Sequence, residues 1–219
     1  MSEITGSLVY LTSKEACEFL LPRHYSGRNP SSISKAYGWV VNDKLVAVAT
    51  YGKPANHFLC DGICGKEWNR AVYELSRLCR EEDLTLPLSQ FVSATLRDIS
   101  QTNDWIIVSY ADTAMHHHGY IYQACNFLYT GQTKERTDPY SKSGKHNRHL
   151  ADDVDMSVRV RRSAKHRYVY FCTRDKRLKQ QWMHDLRYPV LPYPKGDNKN
   201  YVLGTYIKQD IVSVGNEEH

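Results

Sequence analysis

No apolar run in the chain approaches the roughly 20 residues that a helix needs to cross a bilayer. The first residues, Met1 to Gly6, also lack the basic region and hydrophobic stretch of a secretory signal. Both absences lead to the expectation of an intracellular protein with no membrane association. The six cysteines (Cys17, Cys60, Cys64, Cys79, Cys125 and Cys172) include no Cys-x-x-Cys pair, which argues against a zinc ribbon and leaves Cys60 with Cys64 as the one close pair. Reduced cysteines, several packed on strands, are the expectation. Internal repeats and low-complexity tracts are missing as well.

What is present is an ordinary globular composition, with 41% hydrophobic and 24% charged residues in 219 positions, enough for one domain with a substantial core. The net charge of +5 is unevenly spread. From Lys134 to Arg187 fifteen Lys or Arg face seven Asp or Glu, a balance of +8, whereas the remainder stands at −3. Such asymmetry points to a lobe that faces a polyanion, or to a solvated basic surface.

Along the chain, Ser7 to Thr12 reads as a strand, and Ser13 caps a helix that ends near Leu21 before Pro22. A polar loop, Arg23 to Pro30, precedes a hairpin in which Asn42-Asp43-Lys44 joins Tyr37–Val41 to Leu45–Tyr51. Ala71 to Cys79 reads as a strand, Leu88 to Ile99 as a helix, Trp105 to Tyr110 as a strand, His118 to Cys125 as a helix and Phe127 to Gly131 as a strand. Residues 133–155 are polar and read as a long loop. A strand (His166 to Thr173) and a charged helix to about His184 follow. The tail, 185–219, holds Pro189, Pro192 and Pro194 and is expected to pack on the surface of what is otherwise one domain.

The block from Ser109 to Gly131 carries the densest chemistry. Its apolar approach, Trp105 to Val108, ends in the carboxylate Asp112, followed by His116-His117-His118 and by Tyr122 on the helix. In open α/β sheets, ligand and catalytic groups gather where strands end at their carboxyl side. Three adjacent histidines cannot all point one way. One or two of them, His118 included, would with Asp112 make a 2-His-1-carboxylate set of the kind that suits non-haem iron.

The order of elements resembles the GNAT acyltransferase fold, an α/β class with a mixed, mostly antiparallel sheet flanked by helices. Tyr120-Ile-Tyr-Gln-Ala-Cys-Asn-Phe127 is similar to the helix Ala-Leu-Tyr-Glu-Lys-Leu-Gly-Phe that precedes the sixth strand of many GNAT members. The resemblance puts Tyr122 where those enzymes keep a tyrosine able to protonate a departing thiolate. One departure is plain. The GNAT pyrophosphate loop has the form Arg/Gln-x-x-Gly-x-Gly/Ala at a helix N-terminus. Here Cys79-Arg-Glu-Glu-Asp-Leu-Thr-Leu-Pro-Leu-Ser-Gln90 holds no glycine and three consecutive acids, Glu81, Glu82 and Asp83, which places acyl-CoA in question as the donor.

Further segments resemble the Mom family of bacteriophage DNA-modification proteins. They are Arg23-His24-Tyr25-Ser26-Gly27, Glu74-Leu75-Ser76-Arg77-Leu78, the Ser109 to Gly131 block and Lys165-His166-Arg167-Tyr168-Val169-Tyr170-Phe171, which together span Val9 to Phe171. The resemblance implies conversion of adenine in double-stranded DNA to N6-carbamoylmethyladenine, protection of phage DNA from restriction, and a place in the bacterial host's cytoplasm. It implies functional roles for His24, Tyr25, Asp112 and Tyr122. It also brings an iron ion, for which His24 and Asp112 are the candidate ligands. The group donor and the oligomeric state, a dimer among the options, do not follow from it.

The chemistry can be reasoned from the residues too. The exocyclic amine of adenine is a poor nucleophile, so a base must take its proton as it attacks, or the incoming carbon must be strongly activated. A carboxylate in hydrogen-bond reach suits the first task. Asp112 would bind the amine and take its proton, or would hold a metal beside His24. Glu74 and Arg77 share a strand, and either lines the site or pairs with the other as a buried ion pair. A base inside a duplex must be flipped out before chemistry. Lys142, Lys145, Arg148, Arg159, Arg161, Arg162, Lys165 and Arg167 are the candidate phosphate contacts. Two alternatives remain: an acyl-CoA-dependent N-acyltransferase acting on a protein, tRNA or small-molecule amine, and a DNA-binding protein that has lost catalysis.

Overall fold

The computed structural model describes residues 6–82, 87–141, 154–197 and 210–213. Strand β1 (Ser7–Tyr10) leads into helix α1 (Ser13–Leu20). Its start is fixed by a reciprocal cap one residue earlier than expected: the Glu15 N–H donates to the Thr12 hydroxyl at 3.2 Å, and the Thr12 N–H donates to the Glu15 carboxylate at 2.8 Å. Strands β2 (Lys35–Val41) and β3 (Lys44–Gly52) form the expected hairpin. Asn42 and Asp43 both take positive φ, 48° and 60°, the conformation that a tight turn between twisted strands demands and that these residues tolerate.

Helix α2 (His57–Cys64), capped by Asn56, is new relative to the sequence expectations, because Gly62 interrupts its short apolar pattern. It also carries Cys60 and Cys64; of the six free cysteines only Cys79 and Cys172 lie on strands. Then come β4 (Val72–Arg80), α3 (Leu88–Thr102), β5 (Trp105–Asp112), α4 (Tyr120–Ala124) and β6 (Leu128–Gln132). The stretch 133–155, read as a polar loop, opens instead with a strand, β7 (Arg136–Ser141), which pairs with β8 (Val154–Arg162). Its polar side chains hide it from a pattern search, since this small sheet covers little core. Residues 142–153, which include Lys142, Lys145 and Arg148, lie outside the described residues. Strand β9 (Lys165–Cys172), helix α5 (Lys176–Asp185) and β10 (Asp210–Ser213) complete the elements.

Seven strands form the main sheet in the order β1-β2-β3-β4-β5-β9-β6, and β10-β8-β7 form a second sheet of three. Every pairing is antiparallel except β4 with β5. The expected α/β class, a mixed and mostly antiparallel sheet flanked by helices in the GNAT-like order, is therefore observed. Helix α3 packs on one face over Tyr37, Tyr51, Leu75, Ile107 and Tyr168. The opposite face buries Val72, Ile106, Val108, Val169 and Phe171 with Ile63 of α2 and Trp182 of α5, and Ala16 and Leu20 of α1 with Val48 and Cys79. After α5 the chain follows the edge strand β6, where the Leu191 N–H donates to the Tyr129 carbonyl at 2.9 Å and the Tyr193 hydroxyl to the Phe127 carbonyl at 2.8 Å.

Two local irregularities prepare the site. Strands β4 and β5 pair only from Val72 to Glu74, against Ile106 to Val108, and then part. Beyond the split the Ser109 hydroxyl donates to the Leu75 carbonyl at 3.0 Å, a side chain taking over where the ladder has ended. The second irregularity is a bulge: Tyr51 of β3 faces Leu75 while Thr50 faces Arg77, so Ser76 is an extra residue in β4. In a regular strand Glu74 and Arg77, three apart, would lie on opposite faces. The bulge puts them on the same one.

Candidate functional site

The gap between β4 and β5 opens into a cavity of about 1050 Å³. Its walls come from both faces of the sheet. Glu74, Arg77 and Tyr110, with His24 and Tyr25 of the loop after α1, lie on one side, and Leu88 of α3 with Tyr122 of α4 on the other. A third wall is basic: Lys134, Arg136 and Arg162 of the small sheet region, with Lys165 and Arg167 of β9.

Asp112, at the end of β5, is only 5% exposed and is not among the lining side chains, which include its partners Ser163 and Lys165. The Ser163 hydroxyl donates to Oδ1 at 2.5 Å, the Ala114 N–H donates to the same oxygen at 3.0 Å, and the Lys165 ammonium meets Oδ2 at 2.9 Å. Burial would push this acid up, but the Ser163 hydroxyl and the Lys165 charge outweigh it and hold the carboxyl below its ordinary range. Asp112 is thus a stable anion that caps the turn Thr113–Met115 and fixes Lys165 at the cavity wall.

His24 is buried. The Ser26 N–H donates to Nδ1 at 3.2 Å, and the Ser26 hydroxyl lies 2.9 Å from the same nitrogen. That contact assigns the proton of the neutral ring to Nε2. Burial, then the charges of Arg77, His117 and Lys165, pull the imidazole down to about 3. Tyr25 stacks on His24 with ring centres 4.3 Å apart and meets the edge of His117 at 5.9 Å. Burial and the Asp112 charge raise its phenol.

Tyr122 enters from α4, its ring 5.4 Å from Phe127 and 5.3 Å from Tyr168. Burial raises the phenol to about 12 despite a hydrogen bond with Ser109 that opposes the shift. Arg77 is held by the carbonyl of its neighbour Ser76 at 2.7 Å and by the Arg28 carbonyl at 3.4 Å. Glu74 lines the cavity beside it, and no ion pair between the two is formed, so both serve the cavity wall. Burial raises the Glu74 carboxyl, against the pull of Arg77 and Lys165.

The three adjacent histidines diverge as the geometry requires. His116 sits exposed with φ of 54°, and His117 lines the cavity against Tyr25. His118 turns to the His166 ring at 5.7 Å, behind the wall. This placement corrects the metal expectation. Among the described residues no three His, Cys, Asp or Glu side chains converge as a ligand set. The Asp112 oxygens are taken by Ser163, Ala114 and Lys165, and His118 faces elsewhere, so the residues present do not fit an iron centre of His24, Asp112 and His118.

The expected phosphate contacts divide. Lys165 and Arg167 line the cavity, with Arg167 pinned by the Thr130 hydroxyl at 2.9 Å and stacked 3.4 Å over the Tyr188 ring. Arg162 pairs with Asp138 at 2.9 Å, Arg161 with Asp210 at 3.6 Å, and Arg159 donates to the Thr137 hydroxyl at 2.9 Å. Arg148 lies outside the described residues. Ser163 escaped the sequence reading entirely: it sits in the turn between β8 and β9, and nothing local links it to a carboxylate 51 residues earlier.

A sequence model described as the Mom protein family matches residues 8–195. No curated protein matches the chain in sequence. Similar solved structures include the ribosomal-protein-S18-alanine N-acetyltransferase from Escherichia coli, with 9% identity, 78% of this chain and 96% of that chain covered, and a TM-score of 0.47. An acetyltransferase from Bacillus subtilis in complex with CoA has 14% identity, 76% and 99% coverage and a TM-score of 0.41. An N-acetyltransferase from Staphylococcus aureus has 10% identity, 77% and 98% coverage and a TM-score of 0.44.

Proposed function

The chain belongs to the Mom protein family, and from that premise we propose that it is a transferase converting adenine in double-stranded DNA to N6-carbamoylmethyladenine. Acting in the cytoplasm of an infected bacterium, it would shield phage DNA from restriction. The observation that carries this reading is the convergence of Tyr25, Arg77, Lys165 and Tyr122 on one cavity, beside a basic wall. A target base must leave the helix to be modified. The cavity has room for a flipped base and a small donor together, and the cations of Arg136, Arg162 and Lys165 at its wall support a reading in which they meet flanking phosphates.

Within that reading the residues take distinct tasks. Lys165, fixed by Asp112, presents a positive charge to an anionic or carbonyl oxygen. Tyr122, protonated at neutral pH, is a donor. The Tyr25 ring, stacked on His24 and met by His117, is part of the aromatic wall that a base in the cavity would contact.

The test is mass spectrometry of nucleosides digested from plasmid DNA after expression in bacteria, with Asp112→Ala beside the wild type. A deoxyadenosine heavier by one carbamoylmethyl group, lost in the variant, is the expected result. A well-folded protein that leaves all deoxyadenosine unmodified would defeat the proposal.

A second reading is an acyl-CoA-dependent N-acyltransferase. It is favoured by the reach of the cavity to Leu88 and Ser89 at the start of α3, where no side chain among the described residues caps the helix. Glu81 and Glu82 line the same end and oppose a pyrophosphate. Saturable binding of acetyl-CoA, with no change to DNA, would favour it.

A further inference from the structure

The carboxylate that the site leaves available is Glu74. It is the last residue of β4 paired with β5 (Glu74 against Val108), so its side chain stands at the apex of the split. Asp112 has three donors on its oxygens. Glu74 makes no side-chain hydrogen bond and no ion pair among the described residues, although it lines the cavity and is surrounded by its functional groups. Its electrostatic neighbours are Arg77 on its own strand, Lys165 of β9, Tyr110 of β5, Tyr122 of α4 and Cys60 of α2. The Ser76 bulge is what sets Arg77 on the same face.

We propose that Glu74 is the general base of the transfer, accepting the proton of the attacking amine at the apex of the β4–β5 split. The proposal rests on the adenine-modification reading. The donor is of the class that carries a carbamoylmethyl group on a leaving group. As the adenine N6 forms its bond to the methylene carbon, the bond from that carbon to the leaving group breaks, and its electron pair departs with that group. One N6 proton passes to a Glu74 oxygen. Arg77 and Lys165 favour the ionised carboxylate and oppose, without cancelling, the rise that burial imposes on it. Glu74 suits this task better than Asp112 for two physical reasons. A base must have a lone pair free of donors, and its basicity must not be drained by hydrogen bonds and a fixed cation.

The experiment compares wild type with Glu74→Gln on duplex DNA, reading modified deoxyadenosine, duplex binding and thermal unfolding for both. Glu74→Gln is expected to lose about 10²- to 10⁴-fold in modification rate, the usual contribution of general base catalysis, while binding the duplex as wild type does. The wild-type rate should rise tenfold per pH unit on an acidic limb and then level off, and that limb should be absent in the variant. Formate added to Glu74→Ala should restore part of the rate, as a merely structural glutamate would not allow. A Glu74→Gln protein that modifies DNA at the wild-type rate, or a wild-type rate with no acidic limb, overturns the assignment. If the variant fails to fold, the wild-type pH profile and the formate rescue still decide it. A wild type that modifies no adenine overturns the parent reading and this one with it, whereas a Glu74→Gln protein as active as a modifying wild type overturns only the role of Glu74.

Discussion

At Asp112 burial and charge compete, and the outcome decides its chemistry. Desolvation alone would make it a serviceable base, yet Ser163, Ala114 and Lys165 convert it into a fixed anion. His24 shows the opposite balance, since its burial is reinforced by Arg77, His117 and Lys165. An unfolded chain protonates a histidine near pH 6.5, whereas His24 in the fold stays neutral down to about 3. Between those values the unfolded state holds the extra proton, so stability is fully present above about pH 6.5 and declines as pH falls towards 3. The slope from one such group is at most about 1.4 kcal/mol per pH unit. Urea midpoints measured from pH 7 to pH 4 should therefore fall more steeply in wild type than in His24→Gln. Equal slopes would mean that the imidazole takes up its proton in the fold as freely as in the unfolded chain.

At the scale of elements, helix α4 is held by the glycine that starts it. Gly119 has φ of 78°, and a Cβ there would run into the Tyr168 ring. Gly119→Ala forces both a left-handed alanine and an overpacked contact, for which a loss of about 1–3 kcal/mol is expected. Because α4 carries Tyr122, modification should fall with stability, and thermal unfolding beside the nucleoside assay reads both. A variant as stable as wild type would mean that Tyr168 can move aside. Elements of this kind were partly legible in the sequence. The amphipathic pattern of α3 and the Asn42-Asp43 hairpin were plain because local chemistry alone specifies them. The junction after β5 stands out in the sequence because Asp112, the histidines and Tyr122 are close together, and of these His117 and Tyr122 reach the cavity wall. Strand β7 was not, since its polar side chains lack the apolar alternation by which strands are found. Nor was the Ser76 bulge, which exists only as a register shift against β3, or the Ser163–Asp112 contact, which is made by tertiary structure. The expected iron set failed for the same reason: sequence proximity placed His118 beside Asp112, whereas the left-handed residue His116 turns the chain and sends His118 to His166.

At the scale of the whole molecule the uneven charge acquires a location. The segment from Lys134 to Arg187 contains β7, β8, β9 and α5, and five of its cations, Lys134, Arg136, Arg162, Lys165 and Arg167, line the cavity. Its arginines are not idle there, because Arg162 pairs with Asp138 and Arg161 with Asp210. An exposed pair such as Arg161 with Asp210 contributes only about 0–1 kcal/mol to stability, so a phosphate can displace that carboxylate at little cost, whereas the Arg162–Asp138 pair is half-buried. Each phosphate contact neutralised adds about 0.9 to the slope of log affinity against log salt. The double variant Arg161→Ala with Arg162→Ala should therefore bind a DNA duplex more weakly and show a salt slope shallower by up to about 2. Its discrimination between duplexes should be unchanged, since phosphate contacts carry no sequence information. Fluorescence anisotropy of a labelled duplex over a sodium chloride series makes the measurement, and unfolding curves should barely differ between the two proteins. A salt slope equal to that of wild type would remove the small sheet from the DNA path. The cavity's remaining cations, Lys134, Lys165 and Arg167 among them, would then be left to hold the strand.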